Sequence, residues 1–296
     1  MHVVGGGSEG KVRRWRVDDG HEVGTTMDAG GYVFNLAVSQ DGKWIVSGTR
    51  SGLVRVWNTE SGEQIGEING HSKSLGAIDI SPDATRIATG SDDFTACVWS
   101  IASGERLLGP LKHNGKLAAV KYSSSGDFIA TATCSYESVR VYKSQDGSLV
   151  VDIQIRVGSY LNQSLAWSLH GEQLLVLSKY AAIHCLDAVT GSTHSKWSTR
   201  SGDRAWCIAL ASNGTFIAAS TDSSVTFWDA TTHEQIGVVL YYGDTVCSMA
   251  ISPNNDRLVT SGNDKKVTIR KLVDILPESY IIGVSTPIQK LLWIIR

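Results

Sequence analysis

One interval organises the chain. Segments of alternating apolar residues end on a bulky anchor at Trp15, Trp57, Trp99, Tyr142, Leu186 and Trp228, and the same position is Arg270 at the last repeat. The steps are 42, 42, 43, 44, 42 and 42 residues. A spacing held this closely over the whole length requires one structural unit repeated in series, with each unit packing on the next. Helical periodicity is absent, and the alternation within each unit has the period of a β-strand. Composition fits. Glycine is 30 of 296 residues and proline only 5, as many turns between buried strands require. Charged residues make up 19% and apolar residues 42%, which excludes a disordered chain.

Each unit follows one grammar. A short apolar strand leads to a polar turn such as Ser39-Gln40-Asp41-Gly42, Ser81-Pro82-Asp83 or Ser252-Pro253-Asn254-Asn255. Asp, Asn, Ser and Gly favour such turns because they cap backbone groups or tolerate positive φ. A second strand follows, then a third that ends on the anchor. A glycine turn at Gly20, Gly62, Gly104, Gly147 or Gly191 precedes a fourth strand. Units of ~40–45 residues with four strands predict an all-β, seven-bladed β-propeller of four-stranded antiparallel blades. The whole of 1–296 is expected to form this single domain.

These residues resemble the WD-repeat family of β-propellers. The repeat that carries the likeness best contains Asn69-Gly70-His71, Ser81-Pro82-Asp83, Ala88-Thr89-Gly90-Ser91-Asp92-Asp93 and Val98-Trp99. The resemblance implies a buried hydrogen-bonded tetrad of His71, Thr89, Asp93 and Trp99. Such burial demands pairing, because an unsatisfied carboxylate or imidazole is costly in a core. Other repeats keep fragments: His113 and Thr131 with Tyr142, Asp222 with Trp228, and Thr260 with Asp264. Ser51 stands for the acid in the second repeat. The fifth, with Tyr180 and Leu186 at the acid and anchor positions, is the most degenerate.

The first period lacks an inner strand. Of the 26 residues after Arg270, Tyr280-Ile281-Ile282-Gly283-Val284 is expected to be the outer strand of blade seven. Residues 288–295 are expected to supply the missing inner strand of blade one, since an open ring would expose sheet edges. The alternative is a fragment whose tail stays out of the ring.

Enzyme-like strings carry little weight. Gly5-Gly6-Gly7-Ser8-Glu9-Gly10 satisfies both the dinucleotide fingerprint and the nucleophile-elbow pattern. Both need a helix after the turn, and Lys11-Val12-Arg13-Arg14-Trp15 alternates like a strand. The eight histidines and five cysteines show no zinc spacing. No catalytic residue, cofactor or metal is expected. Cys97, Cys207 and Cys247 read as small core residues, and the sequons at Asn162 and Asn213 as ordinary strand and turn residues. A net charge of −2 argues against a nucleic-acid partner, and no apolar run reaches the ~18–20 residues of a membrane span. The sequence shows no secretory leader and no paired cysteines, so an intracellular setting, cytoplasmic or nuclear, is expected.

In the WD-repeat family, partners commonly dock on the face bearing the loops into the inner strands and after the second strands. The resemblance maps that face here onto Tyr32, Phe34, Arg50, Lys116, Gln163, Lys179, Arg204 and Trp206, with Ser135 and Leu161 at equivalent positions. Aromatic and arginine side chains are the usual anchors of protein interfaces. The cations point to an acidic or phosphorylated protein or peptide. The expected function is a non-catalytic interaction scaffold or partner-sensing module, a monomeric domain within a larger complex. The rival is a propeller enzyme with a pocket at the channel mouth, since fold does not fix function.

Overall fold

The computed structural model describes residues 1–134, 138–157, 163–199 and 204–281, together with the backbone of Leu292–Ile295. Seven small sheets follow one another along the chain, and no α-helix occurs among the described residues. Blade 3 is the pattern for the rest: Leu75–Ile80, Arg86–Ser91, Thr95–Ser100 and Arg106–Lys112, antiparallel throughout. Blades 2, 4, 5 and 6 repeat this order.

The register explains the anchors. Each is paired across the sheet with an aliphatic residue of the second strand: Trp15 with Val3, Trp57 with Ile45, Trp99 with Ile87, Tyr142 with Ile129, Leu186 with Leu174, Trp228 with Ile217 and Arg270 with Leu258. The hydroxyl of the turn serine closes the hairpin turn that it begins, accepting the amide of Trp44, Arg86, Phe128, Gln173 or Arg257 five residues on, at 2.8–3.0 Å.

Burial runs between blades. Each hydrophobic cluster joins two neighbours. Val54, Val56 and Ile68 of blade 2 meet Ile78, Ile87 and Trp99 of blade 3. Ala130, Val139 and Val141 of blade 4 meet Leu174, Val176 and Leu186 of blade 5. The seam between blades 7 and 1 is the thinnest, with Val3 and Val259 as its buried pair.

The ends depart from the expected closure in two ways. Leu292–Ile295 does form the inner strand of blade 1, beside the inner strands of blades 2 and 7. It runs parallel to His2–Gly6, however, so this one blade is mixed. Blade 7 has three described strands, Val246–Ile251, Arg257–Gly262 and Val267–Lys271. Tyr280, expected in its outer strand, instead ends a short 3-10 turn, Glu278–Tyr280. Its hydroxyl donates to Asp229 Oδ2 at 2.8 Å in blade 6, which draws the chain away from blade 7. Residues 282–284 and 288–291 of the two proposed strands lie outside the described residues.

The glycine-rich string near the start is a strand, a turn and a second strand. Gly10 donates to the Gly7 carbonyl at 3.1 Å with φ +70°, and Lys11–Arg16 follows at once. Neither enzyme fingerprint has the helix it needs.

Candidate protein-binding face

The face is built on the tetrad of blade 3. Trp99 Nε1 donates to Thr89 Oγ1 at 2.8 Å, and Thr89 Oγ1 lies 2.8 Å from His71 Nε2. His71 Nδ1 lies 3.0 Å from Asp93 Oδ2, so the geometry is that of an Nδ1–H donor. Asp93 also accepts the amides of Ser72 and Thr95, each at 3.0 Å, and the Thr95 hydroxyl at 2.6 Å. Burial alone would raise the Asp93 pKa. Its hydrogen bonds from Thr95, His71 and Ser72, with the charge of His71, hold it below the ordinary carboxylate value. Burial lowers the His71 pKa against the opposing pull of Asp93. A relay of this kind fixes the loop before blade 3 to the turn after its second strand.

Other blades solve the same problem with other atoms. In blade 4, His113 Nε2 lies 3.0 Å from Thr131 Oγ1 and 3.3 Å from the Tyr142 hydroxyl, while Nδ1 donates to the Leu111 carbonyl at 3.0 Å. Burial pushes this histidine down to about 4. In blade 2, Trp57 Nε1 donates to Ser47 Oγ at 3.2 Å. In blade 6, the second-strand hydroxyl position is Ala219, and Trp228 Nε1 turns to Thr226 on its own strand at 2.9 Å. In blade 7, the Arg270 guanidinium lies 5.6 Å from the centre of the Tyr242 ring.

Asp222 is not the tetrad acid that sequence spacing assigned. The hairpin of blade 6 is one residue shorter than that of blade 3, with Thr221 paired to Ser224 and Asp222 at φ +42°. Asp222 therefore accepts the Arg204 amide and the Trp206 indole N–H, both at 3.2 Å. Asp229, of the literal Trp-Asp pair, caps the following turn by accepting the amides of Thr231 and Thr232 at 2.8 and 2.6 Å.

A backbone tie recurs across the face. The residue in the turn after the second strand donates its N–H to the loop leading into the inner strand: Arg50 to Tyr32, Asp92 to Ser74, Cys134 to Lys116, Asp222 to Arg204 and Asn263 to Thr245, at 2.9–3.1 Å. Tyr32 and Arg50, both inferred from sequence, form one such pair. Tyr32 is 38% exposed, and its ring centre lies 5.7 Å from that of Phe34 beside the exposed Arg50. Ser135 and Leu161 lie outside the described residues.

Two of the expected face residues are engaged elsewhere. Lys116 Nζ donates to Asp92 Oδ2 across the blade 3–blade 4 boundary at 3.0 Å, so its charge is locally balanced. Gln163 bridges inner strands: its carbonyl accepts the Ile208 amide at 2.7 Å, and its Oε1 accepts the Met249 amide at 2.9 Å. It braces blades 5, 6 and 7 where the spacing placed a displayed side chain.

Blades 5 and 6 bring the remaining residues together. The Lys179 amide donates to the Arg156 carbonyl at 2.8 Å, and the Ala205 amide to the Lys179 carbonyl at 3.4 Å. Arg156 Nη1 donates to the Tyr180 hydroxyl at 3.2 Å, and Tyr180 is 65% exposed. Arg204 and Trp206 adjoin through Asp222. Sequence reasoning missed Arg156 and Tyr180 as members of this sector. An exposed tyrosine at the acid position was the available signal.

Burial raises the Cys97 and Cys207 pKa values to about 11 and about 12. Both pack in the core as expected, whereas Cys247 is half-buried and donates toward Asn263 Oδ1 at 3.4 Å. Among the described residues no group of three or more His, Cys, Asp or Glu could hold a metal ion, and no helix is long and apolar enough to cross a membrane.

Seven sheets in sequence order, with the His71–Thr89–Asp93–Trp99 relay, define a WD-repeat β-propeller. Residues 32–275 match the family described as IFT122 first beta-propeller, and the chain belongs to that family. No curated protein matches the chain.

Proposed function

We propose that the chain is a non-catalytic protein-interaction scaffold, a single propeller domain over 1–296. It docks an acidic or phosphorylated protein segment on the sector shared by blades 5 and 6. The observation that carries this reading is the backbone-linked run Arg156, Lys179, Tyr180, Arg204 and Trp206. It sets three cations beside two aromatic rings on fixed backbone, the composition from which interface anchors are made. The tetrad histidines are buried and committed to structural hydrogen bonds, which favours a scaffold over an acid–base catalyst. Tyr32, Phe34 and Arg50 extend the surface at blade 2. The five free thiols suit an intracellular, reducing setting.

The test compares wild type with a Tyr180→Ala/Arg204→Glu/Trp206→Ala variant on an array of acidic and phosphorylated peptides. Binding by the variant should weaken about tenfold or more, the scale of losing one interface anchor. Equal binding by two equally folded proteins would remove this sector from the function.

A further inference from the structure

We propose that Asn114 is a self-modification site, where the chain converts one of its own carboxamides into a carboxylate. The change falls in the loop that enters the inner strand of blade 4, apart from the sector on blades 5 and 6.

The chemistry requires an asparagine with a glycine after it. The backbone nitrogen of the glycine attacks the asparagine Cγ, a new C–N bond closes a cyclic imide, and the side-chain nitrogen leaves as ammonia. Water then opens the imide at either carbonyl. One product is aspartate, and the other is isoaspartate, in which the backbone runs through the former side chain. The net change is carboxamide plus water to carboxylate plus ammonium, with no oxidant or second protein. Glycine favours the attack because it has no Cβ and its backbone turns freely.

Asn-Gly occurs at 69–70, 114–115 and 213–214, and the fold treats the three differently. Asn213 is clamped. Its Nδ2 donates to the Tyr280 carbonyl at 3.1 Å, and its Oδ1 accepts the Thr215 amide and hydroxyl at 3.2 and 2.7 Å. The nitrogen that would attack, that of Gly214, donates to the Ala211 carbonyl at 2.8 Å. Asn69 belongs to the outer strand of blade 2, opposite Leu53, and its Nδ2 donates to Glu67 Oε1 at 3.3 Å. Gly70 packs tightly beside the Trp99 ring. Asn114, by contrast, is exposed and lies outside any strand. Among the described residues neither its carboxamide nor the Gly115 N–H makes a hydrogen bond. It is the pair with the least to break before the imide closes.

The loop gives the product a defined consequence. Its two ends are fixed: the His113 N–H donates to the Phe94 carbonyl at 2.8 Å, and the Lys116 carbonyl accepts the Cys134 N–H at 3.1 Å. Isoaspartate lengthens the backbone between these points, so the loop has to bulge outward. Either product also places an anion between Lys112 and Lys116 in the chain. Lys116 Nζ already donates to Asp92 Oδ2 at 3.0 Å, and the new carboxylate competes for it. A neutral position becomes anionic without an added group, a charge-changing modification built into the sequence.

The experiment holds the full chain at neutral pH and physiological temperature for weeks, with a parallel sample unfolded in urea. Digests are mapped by mass spectrometry, and isoaspartate is counted by methyl transfer with an isoaspartyl methyltransferase. In the native chain the Asn114 peptide should convert first. Asn213 should follow at least about tenfold more slowly, the factor carried by hydrogen bonds that must open beforehand. In urea the three sites should converge. Asn114→Gln keeps an exposed amide but lengthens the side chain, and should abolish the early conversion with Tm unchanged. The proposal is overturned if Asn69 or Asn213 converts as fast as Asn114 in the native chain. It is also overturned if the native Asn114 stays intact while the unfolded chain loses its amide.

Discussion

Thr89 is the narrowest point of the tetrad. Its hydroxyl takes the Trp99 indole N–H and meets His71 Nε2, each at 2.8 Å. Thr89→Val keeps the shape and leaves both nitrogens without a partner. Urea denaturation should show a loss of about 2–4 kcal/mol, since each buried unsatisfied polar group costs ~1–3 kcal/mol. His113 makes a different test, in pH. Its folded pKa of about 4 lies below the ordinary ~6.5. The unfolded chain therefore takes up a proton that the native ring refuses. Stability is unaffected above ~6.5 and falls as pH drops from there toward 4, by up to about 3 kcal/mol from this group. Melting curves at pH 7 and pH 5 should show the loss in wild type and a smaller one in His113→Gln. The tetrad was legible through the WD-repeat resemblance, because this repeat keeps His71, Thr89, Asp93 and Trp99 at the family's spacing. The partners of Lys116 and Gln163 were not, because Asp92 and Met249 belong to other repeats and a period relates only equivalent positions.

Strands and turns follow the sequence closely where one spacing governs both sides of a hairpin. All seven anchors fall on third strands opposite an aliphatic residue. The spacing misled at blade 6, where a hairpin shortened by one residue converts Asp222 from an expected tetrad acid into an acceptor for the loop that enters the inner strand of the same blade. It also underrated blade 5, whose Leu186 is 1% exposed and packed between blades 4 and 5. Trp99→Ala should cost about 3–5 kcal/mol, as buried aromatic truncations do. Leu186→Ala should fall lower, near 2–4 kcal/mol, because it strands no polar partner. Urea titration of both settles the order, and equal losses would mean that the indole hydrogen bond adds nothing. Gly70 adds a steric test. A Cβ there would run into the Trp99 ring, so Gly70→Ala should destabilise by about 1–3 kcal/mol, the usual cost of overpacking, measurable in the same titration.

The ring as a whole is closed by its weakest joint. Six seams each bury a cluster of several side chains, while Val3 and Val259 form the buried pair of the seventh. The strand Leu292–Ile295 sits there, against His2–Gly6. Deleting residues 292–296 should lower Tm by about 4 °C or more, the shift that ~1–2 kcal/mol brings in a chain of this size. Hydrogen exchange should rise first in blades 1 and 7. An unchanged Tm would show that closure rests on the seam alone. The location of this strand was legible from the missing inner strand of the first period. Its parallel direction was not, because hydrophobic alternation reads the same both ways along a strand.

The five backbone ties carry a consequence for how such a surface changes over time or in the laboratory. Each tie joins an amide to a carbonyl. At two of them a side chain adds to it: the Asp222 carboxylate also takes the Arg204 amide, and the Cys134 thiol also donates toward the Lys116 carbonyl. Tyr32 with Arg50, Ser74 with Asp92, and Thr245 with Asn263 are three slots held by backbone, whose contents are exchangeable while the scaffold stays put. A library randomised at these six positions would sample new specificities on one unchanged frame, much as type is reset in a fixed forme.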